Sequence, residues 1–172
     1  MFILTTFEDL VQIPPYGFLN NQITREDLED RINEKYSNKV VQKVGLCICM
    51  YDLLKASDGL IGNGTGNANV NVRFRMIVFR PFKGEIMTGT VQRCTPEGIH
   101  NEQTWIWKTG DASLYFDPAT VVNLRVESEK WHDQAPKGPQ TEGEADKQTD
   151  RKVPYAIEAS MAESGLGGVD WW

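Results

Sequence analysis

Ile23–Ser37, ITREDLEDRINEKYS, is the stretch on which the fold class turns. Thr24 followed three residues later by Asp27 is a capping-box pair, in which a hydroxyl meets an orphan N–H at a helix start. Ile23 and Leu28 flank that start as a hydrophobic staple. Leu28, Ile32 and Tyr36 then recur every four residues and make one narrow apolar stripe. Asp27 stands one turn before Arg31, a spacing that allows an ion pair. A helix from Thr24 to about Ser37 with a single apolar stripe must pack that face on another element, and the flanking sequence supplies a sheet.

On its N-terminal side, residues 1–13 read as a strand anchored by Phe2, Leu4, Leu10, Val11 and Ile13. Pro14-Pro15 stops it, and a loop runs to about Asn21. On its C-terminal side, residues 40–54 are β-rich. Strict alternation puts Val44, Leu46, Ile48 and Met50 on one face and Cys47, Cys49 and Tyr51 on the other, so both faces are apolar and the strand is expected to be central. Residues 70–79 alternate cleanly, with Val70, Val72, Phe74, Met76 and Val78 opposed by Asn71, Arg73 and Arg75, which predicts one wet face. Between these strands, residues 56–69 are rich in Gly and Asn. Gly62, Gly64 and Gly66 miss the G-x-G-x-x-G spacing, because the third glycine would fall on Asn67. A long hairpin loop is the expectation.

A second unit starts near Phe82. Residues 84–94 read as a strand with Gly89 in its middle, a position that often marks a bend. Trp105-Ile106-Trp107, Tyr115-Phe116 and a strand over 121–126 follow. Residues 134–153 hold Pro, Gly, Gln, Glu and Asp without apolar pattern and read as an acidic linker. The chain regains apolar content from 154 and ends in Trp171-Trp172, rings large enough that they should return to the folded body or meet a partner. The domain expectation is 1–81, 82–133, 134–153 and 154–172, in an α+β protein.

With 172 residues, 40% of them apolar, the chain can build one medium core or two small ones. Its net charge of −6 gives no global basic field for nucleic acid. Cys47, Cys49 and Cys94 form neither a disulfide framework nor a zinc pattern, and His100 and His132 are not spaced to complete one; Cys47 and Cys49 read as small core side chains on one strand face. The opening Met1–Leu4 is too short for a signal peptide, and no run reaches membrane-span length, so a soluble intracellular chain without a membrane partner is expected. No nucleophile elbow, zincin helix or P-loop occurs, and no cofactor motif accompanies them. An enzyme has no support in the residues.

Charge is uneven. Residues 70–95 hold Arg73, Arg75, Arg80, Lys83 and Arg93 against Glu85 alone, whereas residues 127–150 hold seven acids against three bases. Two ordinary solvated faces would explain this. A groove that tracks a nucleic-acid backbone would as well, with Trp105, Trp107, Tyr115 and Phe116 as stacking platforms or as core.

Several segments in order resemble the larger stalk subunit of RNA polymerase III, which has an archaeal counterpart. They are Met1–Leu4 with Asp9–Pro15; Asn38–Val41, Val44–Ile48 and Tyr51–Leu54; Phe79–Ile86; Cys94–Ile99; and Trp105–Trp107, Leu114–Phe116 and Trp171-Trp172. The corresponding subunits of polymerases I and II are less similar at the opening and at the double tryptophan. The resemblance implies a small α/β N-terminal domain that docks a second stalk subunit and the polymerase core. It implies an OB-fold β-barrel of the ribosomal-protein type that binds single-stranded RNA, and a nuclear, non-catalytic role in initiation on tRNA and other small RNA genes. A stand-alone OB-fold RNA-binding factor in translation or RNA decay is the alternative. The RNA-binding expectation falls on Arg80, Lys83, Arg93, Trp105 and Trp107. The docking expectation falls on Pro14, Pro15, Gly62 and Gly64, whose loops project from the first domain.

The chain departs from that family at one place. Only His100–Thr104 separates Ile99 from Trp105, where the family has further strands. At ~5–6 residues per strand plus connections, about two barrel strands are expected to be missing, and a barrel short of two strands has unpaired edges.

Overall fold

The computed structural model describes residues 1–17, 22–62, 64–92, 105–109, 112–134 and 153–171. Its helix α1 spans Arg25–Tyr36, with Thr24 as N-cap and a complete capping box. The Asp27 N–H donates to the Thr24 hydroxyl oxygen at 3.2 Å, and the Asp27 carboxylate accepts the Thr24 N–H at 2.9 Å. The Thr24 hydroxyl also donates to the Asp27 carboxylate at 2.6 Å, and this bond, with that from the Thr24 N–H, holds the carboxyl below its ordinary range. Asp27 is thus turned toward Thr24, and Arg31 reaches Glu34 at 2.7 Å instead.

The helix lies on a five-stranded sheet. Its strands are β1 (Phe2–Ile13), β2 (Val40–Val41), β3 (Gly45–Ala56), β4 (Leu60–Ile61) and β5 (Ala68–Phe79). Their order is β1-β5-β3-β2, with β4 also on β5, and every pairing is antiparallel. β1 and β5 match over twelve consecutive pairs from Phe2↔Phe79 to Ile13↔Ala68. The alternation read from residues 70–79 holds: Val70, Val72, Phe74, Met76 and Val78 are buried under the helix with Val11, Ile13, Leu28, Ile32, Cys47 and Met50. Phe74 stacks on Phe7 at 5.8 Å and meets Tyr36 at 5.7 Å.

β3 departs from the alternation expected of it. Its register against β5 shifts three times, between Cys47 and Cys49, Met50 and Asp52, and Leu53 and Lys55. Each shift inserts one residue, so the core side is Cys47, Met50 and Leu53, a period of three rather than two. Cys47 opposes Val78 on the buried face, whereas Cys49 opposes Ile77 on the other. The two cysteines therefore do not share a face. Asn33 of α1 accepts the Met50 N–H at 2.8 Å and so satisfies a backbone donor within the irregular stretch. At the start of β3, a Cβ on Gly45 would lie 2.5 Å from Val78 Cγ1, and its φ of +141° also suits only glycine. The hairpin between β3 and β5 is tighter than expected, because β4 extends the pairing to Ile61↔Ala68.

The chain divides into two units, Met1–Arg80 with Trp131–Tyr155, and Pro81–Lys130 with Ala156–Trp172. The linker expected over 134–153 lies almost wholly outside the described residues. Among the described residues, the second unit is built of strands with one 3-10 turn, Val169–Trp171. β6 (Ile86–Thr90) pairs with β9 (Val121–Trp131), which also pairs with β10 (Tyr155–Ser160) and β11 (Gly167–Gly168). β7 (Trp105–Thr109) and β8 (Ala112–Phe116) form a separate hairpin. Gly89 introduces no bulge: the β6–β9 register runs unbroken from Ile86↔Arg125 to Thr90↔Val121. Val91, Phe116 and Val122 form one buried cluster, packed by Leu124, Met161 and Trp171, and Val126 and Leu166 are buried as well. Trp171 does return to the body, meeting Phe116 edge-on at 4.6 Å. Gly167 and Gly168 make room for it, since a Cβ on either would fall 2.5–2.7 Å from its ring. The whole is α+β, as expected.

Two outcomes follow from the first unit. Burial pushes the Cys47 thiol pKa up and removes it from solvent, so an alkylating reagent on the native protein should modify Cys49 well before Cys47, read by peptide mass spectrometry; equal rates would contradict the bulged register. Asp9 accepts from Lys35 Nζ at 2.5 Å and from the Tyr36 hydroxyl at 2.7 Å. Burial raises its pKa, but these bonds outweigh it and the carboxyl sits below its usual range. Its contribution is present above the unfolded value of about 3.9 and is lost as pH falls through the lower folded value. Asp9→Asn should lower the urea midpoint at pH 7 and flatten its decline between about pH 4 and 2; superimposable profiles would refute this.

Candidate functional site

The docking candidates lie at one end of the first unit's sheet. Ile13, Ala68 and Ile61 occupy one row across β1, β5 and β4, so the loops leaving β1 and closing the β4–β5 hairpin start side by side. A Cβ on Gly66 would sit 3.2 Å from Pro15 Cγ, which brings the diproline and the glycine loop together. The Gly17 N–H donates to the Pro14 carbonyl at 2.9 Å, and the Gly62 N–H to the Asn67 carbonyl at 2.9 Å, so both turns are internally bonded. Gly64 has φ +86° and nothing within 4 Å of its Cβ position.

This end also displays apolar side chains that the turn residues alone do not announce. Tyr16 is 84% exposed, and Leu60 and Ile61 are each 71% exposed. Leu60-Ile61 is an apolar pair inside a Gly/Asn-rich stretch, a signal visible in the sequence but masked by its setting. Beside it, Ile23, Leu28, Ile61, Ala68 and Val70 line a shallow groove of about 500 Å³. Exposed apolar groups rimmed by polar loops suit contact with another protein.

The basic residues are less available than their number suggests. Arg73 pairs with Glu8 at 3.2 Å. Arg75 binds Asp52 through Nε and Nη2 at 2.7 and 2.5 Å and lies over the Tyr51 ring at 5.2 Å. Those acids stand on neighbouring strands, so counting charges along β5 alone misses them. Arg80 donates to the Lys43 carbonyl at 2.9 Å and lies over Trp131 at 5.9 Å. Trp131 in turn stacks on Tyr155 at 4.2 Å, an aromatic pair absent from the sequence-based candidates. Arg80 is therefore already engaged within the first unit.

In the second unit, Lys83 is exposed in the turn before β6. Arg93 lies outside the described residues. Trp105 and Trp107 are on β7, opposite Phe116 and Leu114; their side chains lie outside what is described. Arg125 is held by Glu127 and Glu163, and Lys130 by Glu158. Among the described residues, no group of three or more His, Cys, Asp or Glu is placed to hold a metal.

The two cations should separate on mutation. Arg80→Ala removes a charged hydrogen bond and a ring contact and should cost about 1–2 kcal/mol in denaturant unfolding. Lys83→Ala should stay within about 0.5 kcal/mol. Equal costs would overturn this division of roles.

Comparison with known proteins places these features. Residues 100–172 match the family described as RNA polymerase III subunit Rpc25, and residues 8–66 match the SHS2 domain found in N terminus of Rpb7p/Rpc25p/MJ0397. The chain is 35% identical to DNA-directed RNA polymerase III subunit rpc8 of Schizosaccharomyces pombe over 204 residues, covering 100% of each. It is 32% identical to the Bos taurus subunit RPC8 over 203 residues, covering 100% of this chain and 98% of the other. The match to the polymerase II subunit RPB7 of Saccharomyces cerevisiae, 36% identical, extends over 44% of this chain and 45% of that one, in keeping with the lesser similarity expected of that paralogue. With end-to-end identity of this order to two polymerase III subunits, and an SHS2 unit followed by a β unit, the chain belongs to the RNA polymerase III subunit Rpc25 (RPC8) family.

Proposed function

We propose that this chain is a non-catalytic stalk subunit of DNA-directed RNA polymerase III, acting in the nucleus in initiation on tRNA and other small RNA genes. The observation that carries the proposal is the 35% identity to a polymerase III subunit over the full length of both chains. On this reading the first unit docks a second stalk subunit and the polymerase core. The loops at Pro14, Pro15, Gly62 and Gly64, with exposed Tyr16, Leu60 and Ile61 beside them, are the surface proposed for that contact. The second unit is proposed as the OB-type element that meets single-stranded RNA through Lys83, Arg93, Trp105 and Trp107. Arg80 is better suited to steadying Lys43 and Trp131 than to gripping a phosphate, because its guanidinium is committed to them.

Affinity purification of the tagged chain from its own cells tests the proposal. Polymerase III core subunits should be recovered with it, and Leu60→Asp with Ile61→Asp should reduce that recovery at least several-fold without unfolding the chain. Recovery of translation or RNA-decay factors in place of polymerase would overturn the reading.

A further inference from the structure

The alternation of β5 predicts a wet face, and the first unit's sheet is wet over only half of it. Cross-strand partners share a side of a sheet, and the register sets the outer face out in rows across β1, β5 and β3. Glu8, Arg73 and Lys55 make one row, and Thr6, Arg75 and Asp52 the next. Leu4, Ile77 and Cys49 follow, and Phe2, Phe79 and Leu46 end the face. Tyr51 joins them, since Arg75 lies over its ring at 5.2 Å. The residues between these on β5, Val72, Phe74, Met76 and Val78, point the other way, into the core under α1.

The apolar half of this face is open. Phe2 is 57% exposed, Tyr51 55% and Leu4 49%, and Phe2 meets Phe79 edge-on at 5.6 Å. All three strands carry unbroken apolar runs here, over residues 2–4, 46–50 and 76–79. Such runs belong to strands covered on both sides, and α1 covers one. Clustered exposed apolar side chains mark a contact surface, and a second layer is what closes a sheet face.

The polar half specifies the cover. Asp52 neutralises Arg75 through Nε at 2.7 Å and Nη2 at 2.5 Å. In the next row Arg73 and Lys55 stand directly opposite each other, an unfavourable placement for like charges. The one carboxylate of that row, Glu8, pairs with Arg73 at 3.2 Å. Lys55 is exposed and is left without an acid of its own in the row. A face with one surplus cation suits an acidic visitor, whereas a second copy of this chain would bring the same surplus and add to it.

We infer that this outer face docks an amphipathic helix of another polymerase III subunit, with the helix's apolar stripe on Phe2, Leu4 and Tyr51 and a carboxylate at Lys55. Assigning the helix to that polymerase rests on the stalk reading above; the chemistry of the face does not. Leu4 and Glu8 are four residues apart, about 13 Å along a strand, which is about nine residues of a helix laid on it. The contact lies at the opposite end of the sheet from the Pro14 and Gly62 loops, so one chain can hold two partners at once.

The test places p-benzoylphenylalanine at position 4 or 51 of the tagged full chain in its own cells, with position 30 on α1 as control. Positions 4 and 51 should both cross-link to one polymerase III subunit other than this chain. The captured peptide should carry apolar residues at spacings of three and four, with an Asp or Glu about nine residues from the position-4 cross-link. Position 30 should not reach it. Lys55→Glu should lower the cross-link yield at least about fivefold, and Lys55→Arg should keep it within about twofold. Both variants should keep the original urea midpoint, because Lys55 is exposed. A cross-link to this chain itself, none at either position, a peptide without the apolar spacing, or an unchanged yield in Lys55→Glu would each overturn the inference. A cross-link to such a helix in another protein, with no polymerase III subunit recovered, would overturn the stalk reading and leave the docking face standing.

Discussion

The twelve-pair ladder between β1 and β5 is the constraint on which the first unit depends. It joins residues 2–13 to residues 68–79, so the two segments that alternate in the sequence share one buried face. That face gives α1 its seat, and the apolar stripe of Leu28 and Ile32 closes over it. The same ladder ends at Ile13↔Ala68, which is why the Pro14–Pro15 turn and the glycine loop emerge together. A candidate interface at that end is thus a result of register, because a slip of one residue would exchange the buried and exposed faces of β1.

What could be read beforehand follows from where the information is local. The capping box of α1 involves residues three positions apart, and it stands in the structure as written. The alternation of β5 is also local, and the burial of its side chains follows it along the strand. β3 was not legible in this way. Its three inserted residues are defined only against the partner strand, and Asn33 reaches Met50 from the helix; nothing in residues 45–56 alone announces a period of three. Arg73 and Arg75 looked like a basic run because Glu8 and Asp52 are distant in sequence and adjacent in the sheet. The site fared like β3: the loops were identified from their turn residues, but the Leu60-Ile61 strand was hidden in a Gly/Asn-rich setting, and the Arg80–Trp131–Tyr155 stack joins residues 51 and 24 positions apart.

The two units carry unequal burdens of apolar burial. In the first, a helix covers one face of the sheet and an aromatic trio centred on Phe74 fills it. In the second, among the described residues, Trp171 meets Phe116 edge-on and packs against the Val91, Phe116 and Val122 cluster. Small cores gain disproportionately from one large ring. Replacing Gly167 or Gly168 would remove the seat of that ring, so two residues without side chains control much of what the second unit buries.

The β1–β5 pairing also has a history in time. β1 leaves the ribosome well ahead of its partner, since Ala68 follows Ile13 by 55 residues. At about 5–20 residues per second, β1 spends on the order of several seconds without the strand that will satisfy it. Within Phe2–Ile13 there is no proline and no lysine to discourage other pairings. Synthesis of this chain therefore includes an interval in which a twelve-residue strand, with Glu8 and Asp9 as its charged residues, waits for the segment that completes its pairing.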